Sequence, residues 1–218
     1  KSLKVIIDNS SPETFISISQ PKFNEYITSD SQFLFVAIDS GTIPSGIKET
    51  NYSIDSSSFI IYNSSFNIIG ADGIYTIAYY SKDNVENTEE IRSNMVKLDN
   101  TKPVSQLTLD GIKYEAAGKT YVSTGTKIVI TAQDPQVNNV ASGLKEIRYS
   151  IDDLPSTVYL LPFILTEGIH TIKYYSVDNL GNTEQTNEKI LYVDGTAPIT
   201  DIIIGESKFS AFGTNYIS

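Results

Sequence analysis

The chain has 218 residues, no cysteine and a formal net charge of −10. It can therefore form no disulfide and carry out no thiolate chemistry, and without a basic cluster it is not expected to bind nucleic acid. No apolar run approaches the roughly 18 residues of a membrane-spanning helix, so we expect no span in this segment. Isoleucine, tyrosine, threonine, valine and phenylalanine are abundant, and these residues favour β-strands.

The sequence repeats itself. The segment GIYTIAYYSKDN at 73–84 returns as GIHTIKYYSVDN at 168–179. Upstream of each copy, SGIKE at 45–49 returns as SGLKE at 142–146. Self-similarity at a spacing of this size indicates one folding unit copied along the chain.

A junction motif of the form Asp-x-x-x-Pro divides the chain. It occurs at 8–12, 99–103 and 194–198. The motif predicts four segments: the last strand of a preceding repeat at 1–8, complete units at 9–99 and 100–194, and the start of a further, truncated repeat at 195–218. Each complete unit is long enough to bury one modest core. On this interpretation the sequence is a window cut from a longer protein.

Alternating apolar residues predict the strands. Phe33, Phe35 and Ala37 are spaced by two residues, and the second copy has the same pattern at Ile128 and Ile130. This spacing is typical of a half-buried strand, and no sustained period of 3.6 indicates a helix. Asp, Asn and Gly separate the apolar runs, as expected of turns. About seven short strands per unit predict an all-β fold of tandem immunoglobulin-like Greek-key β-sandwiches.

Five short motifs recur in the same order in both units. With strands named A to G, they are Ala-x-Asp at the end of strand B, Ser-Gly-Ile/Leu at the start of strand C, the Tyr-Ser-Ile-Asp that follows, Tyr-x-Ser-x-Asp-Asn-x-x-Asn from strand F into the next turn, and the junction motif after strand G. Together they resemble the bacterial immunoglobulin-like repeats of surface proteins and adhesins. The resemblance covers nearly the whole chain and implies a rigid stalk, spacer or ligand-binding arm outside the cell.

The sequence does not predict an enzyme. The single histidine, His170, stands where the other unit has Tyr75. A catalytic base would not usually be exchanged for tyrosine between copies, so we interpret His170 as a partly buried structural residue. No nucleophile elbow, phosphate loop or zinc-binding spacing occurs. We therefore expect no catalytic residue and no cofactor other than a metal ion.

The candidate metal ligands lie at the junctions. In a sandwich of this strand order, the B–C loop, the F–G loop and the last residue of the preceding unit meet at one pole. The predicted ligands are Asp99, Asp134, Asp178, Asn179 and Asn182 at the second junction, and Asp8, Asp39, Asp83, Asn84 and Asn87 at the first. Oxygen ligands converging from three segments suit Ca²⁺. Asp and Asn are also ordinary turn and cap residues, so that interpretation stays open.

The leading functional hypothesis is a structural or adhesive section of an extracellular multi-repeat protein at the cell surface, a stalk or spacer that calcium stiffens. Its partners would be neighbouring repeats of the same chain and a host protein, matrix protein or glycan. The alternative is a carbohydrate- or matrix-binding accessory module of a secreted enzyme. Tyr80 and Tyr175, which alternate with the inward-facing Tyr79 and Tyr174, are the candidate ligand-binding residues.

Overall fold

The computed structural model describes residues 3–203 and 208–217, and all regular secondary structure in these ranges is β. No helix in this part of the chain has the length and apolar character needed to cross a membrane. The predicted flanking segments at 1–8 and 195–218 are described in part, since residues 1, 2, 204–207 and 218 lie outside the described residues.

The first unit is a sandwich of two sheets. Its strands are β1 (Glu13–Ile18), β2 (Lys22–Phe23), β3 (Tyr26–Ile27), β4 (Gln32–Ile38), β5 (Ile47–Ile54), β6 (Ile60–Ile61), β7 (Phe66–Asn67), β8 (Gly73–Asp83) and β9 (Arg92–Leu98). The small sheet has the order β1-β4-β7, and the large sheet has the order β2-β3-β9-β8-β5-β6. Neighbouring strands are antiparallel except for the pair β3 and β9, which is parallel.

The second unit repeats this plan. Its strands are β10 (Val104–Asp110), β11 (Lys113–Ala116), β12 (Lys119–Ser123), β13 (Lys127–Gln133), β14 (Leu144–Ile151), β15 (Thr157–Val158), β16 (Gly168–Asp178) and β17 (Asn187–Asp194). The sheets have the orders β10-β13 and β11-β12-β17-β16-β14-β15, with β12 and β17 parallel. A single bridge between Ile128 and Phe163 takes the place of β7. A separate hairpin follows, β18 (Lys208–Ala211) and β19 (Thr214–Ile217).

The all-β prediction of tandem immunoglobulin-like sandwiches is confirmed, but each unit has more strand segments than the seven or so expected. The reason is that the strand that opens each unit, strand A, divides between the two sheets: β1 and β10 lie in the small sheets, whereas β2, β3, β11 and β12 lie in the large ones. In the second unit the break falls at Gly111, which has φ +146 and lies so close to Thr126 that an added Cβ would be 2.9 Å from the Thr126 Cα. In the first unit, Pro21 lacks the N–H that would continue the ladder after β1.

Each unit has its own apolar core. In the first, the core residues come from both sheets and include Ile27, Phe33, Phe35, Ile77, Val96 and Leu98; in the second they include Val122, Ile128, Leu165, Ile172, Leu191 and Val193. Ile77 and Ile172 are equivalent and have no exposed area. Burying one such side chain contributes about 1.5–3 kcal/mol. Among the described strands, no sheet joins one before residue 99 to one after it, while the unit limits at 9–99 and 100–194 stay a prediction.

Candidate functional site

Three aspartates meet where the second unit joins the first. Asp99 directly follows β9, Asp134 directly follows β13, and Asp178 is the last residue of β16. One carboxylate oxygen of each lies within 4.8 Å of the others. Asp99 and Asp178 have no exposed area, and Asp134 is half-buried. The three strand ends thus deliver negative charge to one point from three segments of the chain.

Main-chain N–H groups hold these carboxylates in place. Asp99 Oδ2 accepts a hydrogen bond from the Ser142 N–H at 2.6 Å, and Asp134 Oδ2 accepts one from the Gly143 N–H at 2.7 Å. Asp178 Oδ1 accepts one from the Asn182 N–H at 2.8 Å. The B–C loop and the F–G loop are therefore both tied to the aspartate triad.

The first junction repeats the arrangement bond for bond. Asp8, Asp39 and Asp83 form the second such cluster in the described part of the chain. Asp8 Oδ2 accepts the Ser45 N–H at 2.7 Å, and Asp39 Oδ2 accepts the Gly46 N–H at 2.7 Å. The six predicted aspartates thus come together as two equivalent triads.

The four predicted asparagines brace the triads through their amide nitrogens. Asn182 Nδ2 lies 2.7 Å from Asp178 Oδ2 and 3.1 Å from the main-chain oxygen of Asp99. Asn87 makes the same pair of bonds to Asp83 and Asp8. Asn179 Nδ2 donates to the carbonyls of Ser142 and Gly143, both at 2.9 Å, and Asn84 does the same at the first junction. In these bonds the asparagines donate, whereas a metal would need their oxygens.

At each junction, one aspartate oxygen of the triad and one serine hydroxyl oxygen are buried without a hydrogen-bond partner. In the described residues, five buried side-chain nitrogen or oxygen atoms lack a partner, and four of them are Asp39 Oδ1, Ser45 Oγ, Asp134 Oδ1 and Ser142 Oγ. Ser142 is only 6% exposed. Leaving such an atom unsatisfied costs about 1–3 kcal/mol. An all-oxygen donor set with free carboxylate and hydroxyl oxygens fits Ca²⁺.

The second triad has unbalanced charge. Burial raises the pKa of the Asp134 carboxyl, the Gly143 N–H opposes the shift, and the nearby carboxylates of Asp99, Asp178 and Asp72 raise the pKa further. The ion pairs among the described residues use none of the six triad aspartates. A bound cation or proton would relieve the repulsion.

Sequence reasoning missed Asp72, which holds the linker. Its carboxylate accepts hydrogen bonds from the N–H groups of Asn100 and Thr101 at 2.9 and 3.1 Å, and its carbonyl accepts one from Asn138 Nδ2 at 2.7 Å. Asp72 therefore joins the first unit both to the linker and to the B–C loop of the second. One sequence feature could have indicated this role: an acidic residue, Asp72 or Glu167, precedes the first glycine of strand F in both copies. Glu167 likewise accepts a hydrogen bond from the Thr196 hydroxyl at 2.9 Å.

A second missed pair links strand A to strand F in each unit. The buried Glu89 carboxylate accepts hydrogen bonds from the N–H groups of Thr14 and Ser81 at 3.1 and 2.8 Å. Glu184 does the same for Ser105 and Ser176, at 3.0 and 2.8 Å. The sequence feature that could have indicated this pair is the dipeptide Thr-Glu, which recurs after the F–G turn of both copies.

The remaining predicted residues lie apart from the triads. Tyr80 is half-buried, with its ring against Phe59 at a centroid distance of 5.0 Å. Tyr175 is half-buried on the equivalent strand of the other unit, so these two tyrosines belong to different surfaces. His170 Nε2 lies 3.1 Å from the carbonyl oxygen of Thr166, and the equivalent Tyr75 hydroxyl donates to a carbonyl in the same place.

No protein-family model matches the chain, and no curated protein matches it. Among solved structures, it is similar to fibronectin(III)-like modules of Clostridium thermocellum CbhA, at 16% identity and a TM-score of 0.43, over 83% of this chain and 95% of that one. It is also similar to the D00-D0 domain of intimin, at 11% identity and a TM-score of 0.28, over 83% of this chain and all of that one (100%). Neither match assigns the chain to a family.

Proposed function

We propose that the chain is a structural section of an extracellular multi-repeat surface protein, a stalk or spacer in which Ca²⁺ at each junction holds consecutive sandwiches at a fixed angle. One observation carries the proposal. The aspartate triad recurs at both junctions with the same main-chain bonds and the same two partnerless oxygens. A purely structural cap would need neither the third carboxylate nor the free oxygens.

The linker between the units has little slack. β9 ends at Leu98 and β10 begins at Val104, and the intervening Pro103 is buried. The Asn100 N–H donates to the Asp72 carboxylate and the Asn138 side-chain amide donates to the Asp72 carbonyl, so the first unit is bonded both to this connection and to a loop of the second unit. Each unit then contacts only its neighbours, so length is added by copying the unit.

Calcium would add a cross-link to this connection. Each triad combines one residue from the preceding segment with two from the following unit, so an ion bound there couples the two. Ca²⁺ takes 6–8 oxygens at about 2.3–2.6 Å, a number that three carboxylates, the free hydroxyl oxygen and water can supply. The two positive charges would offset the repulsion that raises the pKa of Asp134.

The competing interpretation is that the aspartates only cap turns, and calorimetry separates the two. The chain is stripped of metal with EDTA, and its Tm is compared in EDTA, Ca²⁺ and Mg²⁺, with the free ion raised to the millimolar range typical of extracellular sites. We expect Ca²⁺ to raise the Tm by several degrees by binding only the folded state, and Mg²⁺ to do so less. Equal values in EDTA and Ca²⁺ would contradict the proposal.

Matched variants locate the effect. Asp39→Asn with Asp134→Asn removes one charge from each triad and should abolish the calcium-dependent rise in Tm. Asp110→Asn alters an exposed aspartate at the end of β10 and should leave the rise unchanged. Solution scattering measures stiffness: without calcium the maximum dimension should spread over a wider range, and an identical profile with and without the ion would refute calcium-dependent stiffening.

The second candidate function is a carbohydrate- or matrix-binding accessory module. A separate observation favours it, a row of tyrosines on the outer face of the second unit.

A further inference from the structure

Three tyrosines form a row across adjacent strands of the second unit. Tyr114 on β11 pairs directly with Tyr121 on β12, and Tyr121 pairs directly with Tyr192 on β17. Their ring centroids are 6.3 and 5.2 Å apart. Ile169 on β16 pairs with Tyr192 and extends the row to a fourth strand.

The row lies on the solvent side of the large sheet. Val122 and Val193, which follow Tyr121 and Tyr192, point into the core, and successive side chains of a strand point to opposite faces. Tyr114 is 67% exposed. Tyr121 and Tyr192 are half-buried on the same face, so the row presents part of its aromatic surface to solvent.

Shallow depressions follow the row and carry acidic groups at one side. One, of about 440 Å³, is lined by Tyr114, Tyr121 and Asp194; the next, of about 270 Å³, is lined by Tyr121, Tyr192, Glu167 and again Asp194. One oxygen of Asp194 accepts the Thr196 N–H at 2.9 Å. The surface thus combines apolar ring faces with carboxylate acceptors along a single line.

This combination selects the chemistry of a ligand. A ligand needs apolar faces to cover the rings and hydroxyl donors for the carboxylates, which together describe a pyranose. The Lys119 ammonium lies 4.7 Å from the centre of the Tyr192 ring, and the chain carries a net charge of −10, so an anionic ligand is disfavoured. The planes of neighbouring rings in the row are inclined to each other by 41° and 38°.

We propose that the row Tyr114, Tyr121 and Tyr192 binds a neutral polysaccharide, with its sugar rings against the tyrosines and its hydroxyls bonded to Asp194 and Glu167. This goes beyond the proposed stalk function, since it makes the second unit an adhesive one. It does not depend on calcium at the junctions.

The first unit provides an internal comparison. Its corresponding row is Phe23, Tyr26, Lys97 and Ile74, so a lysine stands in place of Tyr192. The Lys97 ammonium lies 4.9 Å from the centre of the Tyr26 ring and 2.9 Å from Glu25 Oε1. Because Lys97 occupies the position of Tyr192, the aromatic row of the first unit ends after Phe23 and Tyr26, so the proposed row of three rings is a property of the second unit alone.

Affinity electrophoresis tests the proposal on the full chain. Native gels contain hydroxyethyl cellulose, xyloglucan, galactomannan, mannan or arabinoxylan as neutral probes, and heparin as an anionic one. We expect retardation by at least one neutral probe, insensitive to salt, and a roughly tenfold weaker interaction for Tyr114→Ala and Tyr192→Lys. Leu160→Ala, at an exposed position that lines neither depression, should bind like the wild type.

A gain of function completes the test. Lys97→Tyr should create a second row in the first unit and increase retardation by the same probe. Retardation by no neutral probe, retardation by heparin alone, or equal binding by Tyr114→Ala would each overturn the proposal. Sedimentation supplies the last check, since a dimer of the wild type that Tyr114→Ala dissociates would show that the row is instead an interface between copies.

Discussion

The side-chain amide of Asn182 donates a hydrogen bond to the main-chain carbonyl of Asp99, so a turn of the second unit holds the last residue of the first unit. The same nitrogen lies 2.7 Å from Asp178 Oδ2. One side chain thus connects the junction to the F–G turn, and Asn87 repeats this connection to Asp8 and Asp83.

Replacement of Asn182 by alanine should destabilise the second unit by about 1–3 kcal/mol, because a buried carboxylate and a carbonyl both lose a donor. Urea unfolding measures this loss. Gln185→Ala alters a neighbouring exposed residue and should change the free energy of unfolding by no more than about 0.5 kcal/mol. An equal loss for both variants would show that the two Asn182 hydrogen bonds do not contribute to stability.

The pH dependence of stability should report the charge of the second triad. The pKa of Asp134 is higher in the folded protein than its ordinary value of 3.8. At pH values between 3.8 and this raised pKa, the folded state therefore binds more protons than the unfolded state. The free energy of unfolding therefore falls as the pH rises through that window, and above the window the folded state carries the full destabilisation from the charged Asp134 carboxylate.

Asp134→Asn removes this titration. In EDTA, the Tm of the variant should exceed that of the wild type by more at pH 7 than near pH 4. In Ca²⁺ at pH 7, the wild type should instead have the higher Tm, because metal binding needs the deprotonated carboxylate. Thermal unfolding across the pH range checks both statements. A difference in Tm that is the same at all pH values would rule out a raised pKa at this position.

The predictable part of the molecule is the part that local pattern determines. The alternation at Phe33 and Phe35 located a core strand because a period of two can bury only one face. The aspartate triads were predictable because the strand order of a sandwich fixes which loop ends meet. The duplication supplied the check, since two copies of a motif must occupy equivalent positions.

The missed features depend on pairings that local pattern does not determine. The division of strand A brings Tyr121 beside Tyr192, although the two are far apart in sequence. Glu89 looks like a solvent-facing residue after a turn, and only the return of strand A beside strand F buries it against Thr14. The amide orientation of Asn182 likewise depends on two acceptors from separate segments.

The carboxylates of the buried Glu89 and the half-buried Glu184 should hold strand A in place. Glu89→Gln and Glu184→Gln keep the shape of the side chain but lose the charge that strengthens bonds to the N–H groups of Thr14 and Ser105. We expect each to cost its own unit about 1–3 kcal/mol by urea unfolding. Glu90→Gln, at the exposed neighbouring position, is the control, and an equally large loss for that variant would contradict a specific role for the Glu89 carboxylate.

The two cores should respond separately to truncation, because each unit encloses its own apolar residues and no described sheet crosses residue 99. Ile77→Ala and Ile172→Ala each leave a cavity at a position with no exposed area, at a cost of about 2–5 kcal/mol. Calorimetry in EDTA should show two transitions, with each variant lowering a different one. Calcium should then bring the transitions together, because an ion shared by the two units makes unfolding of one weaken the other. If either variant lowered both transitions equally in EDTA, the units would be a single cooperative body without any metal.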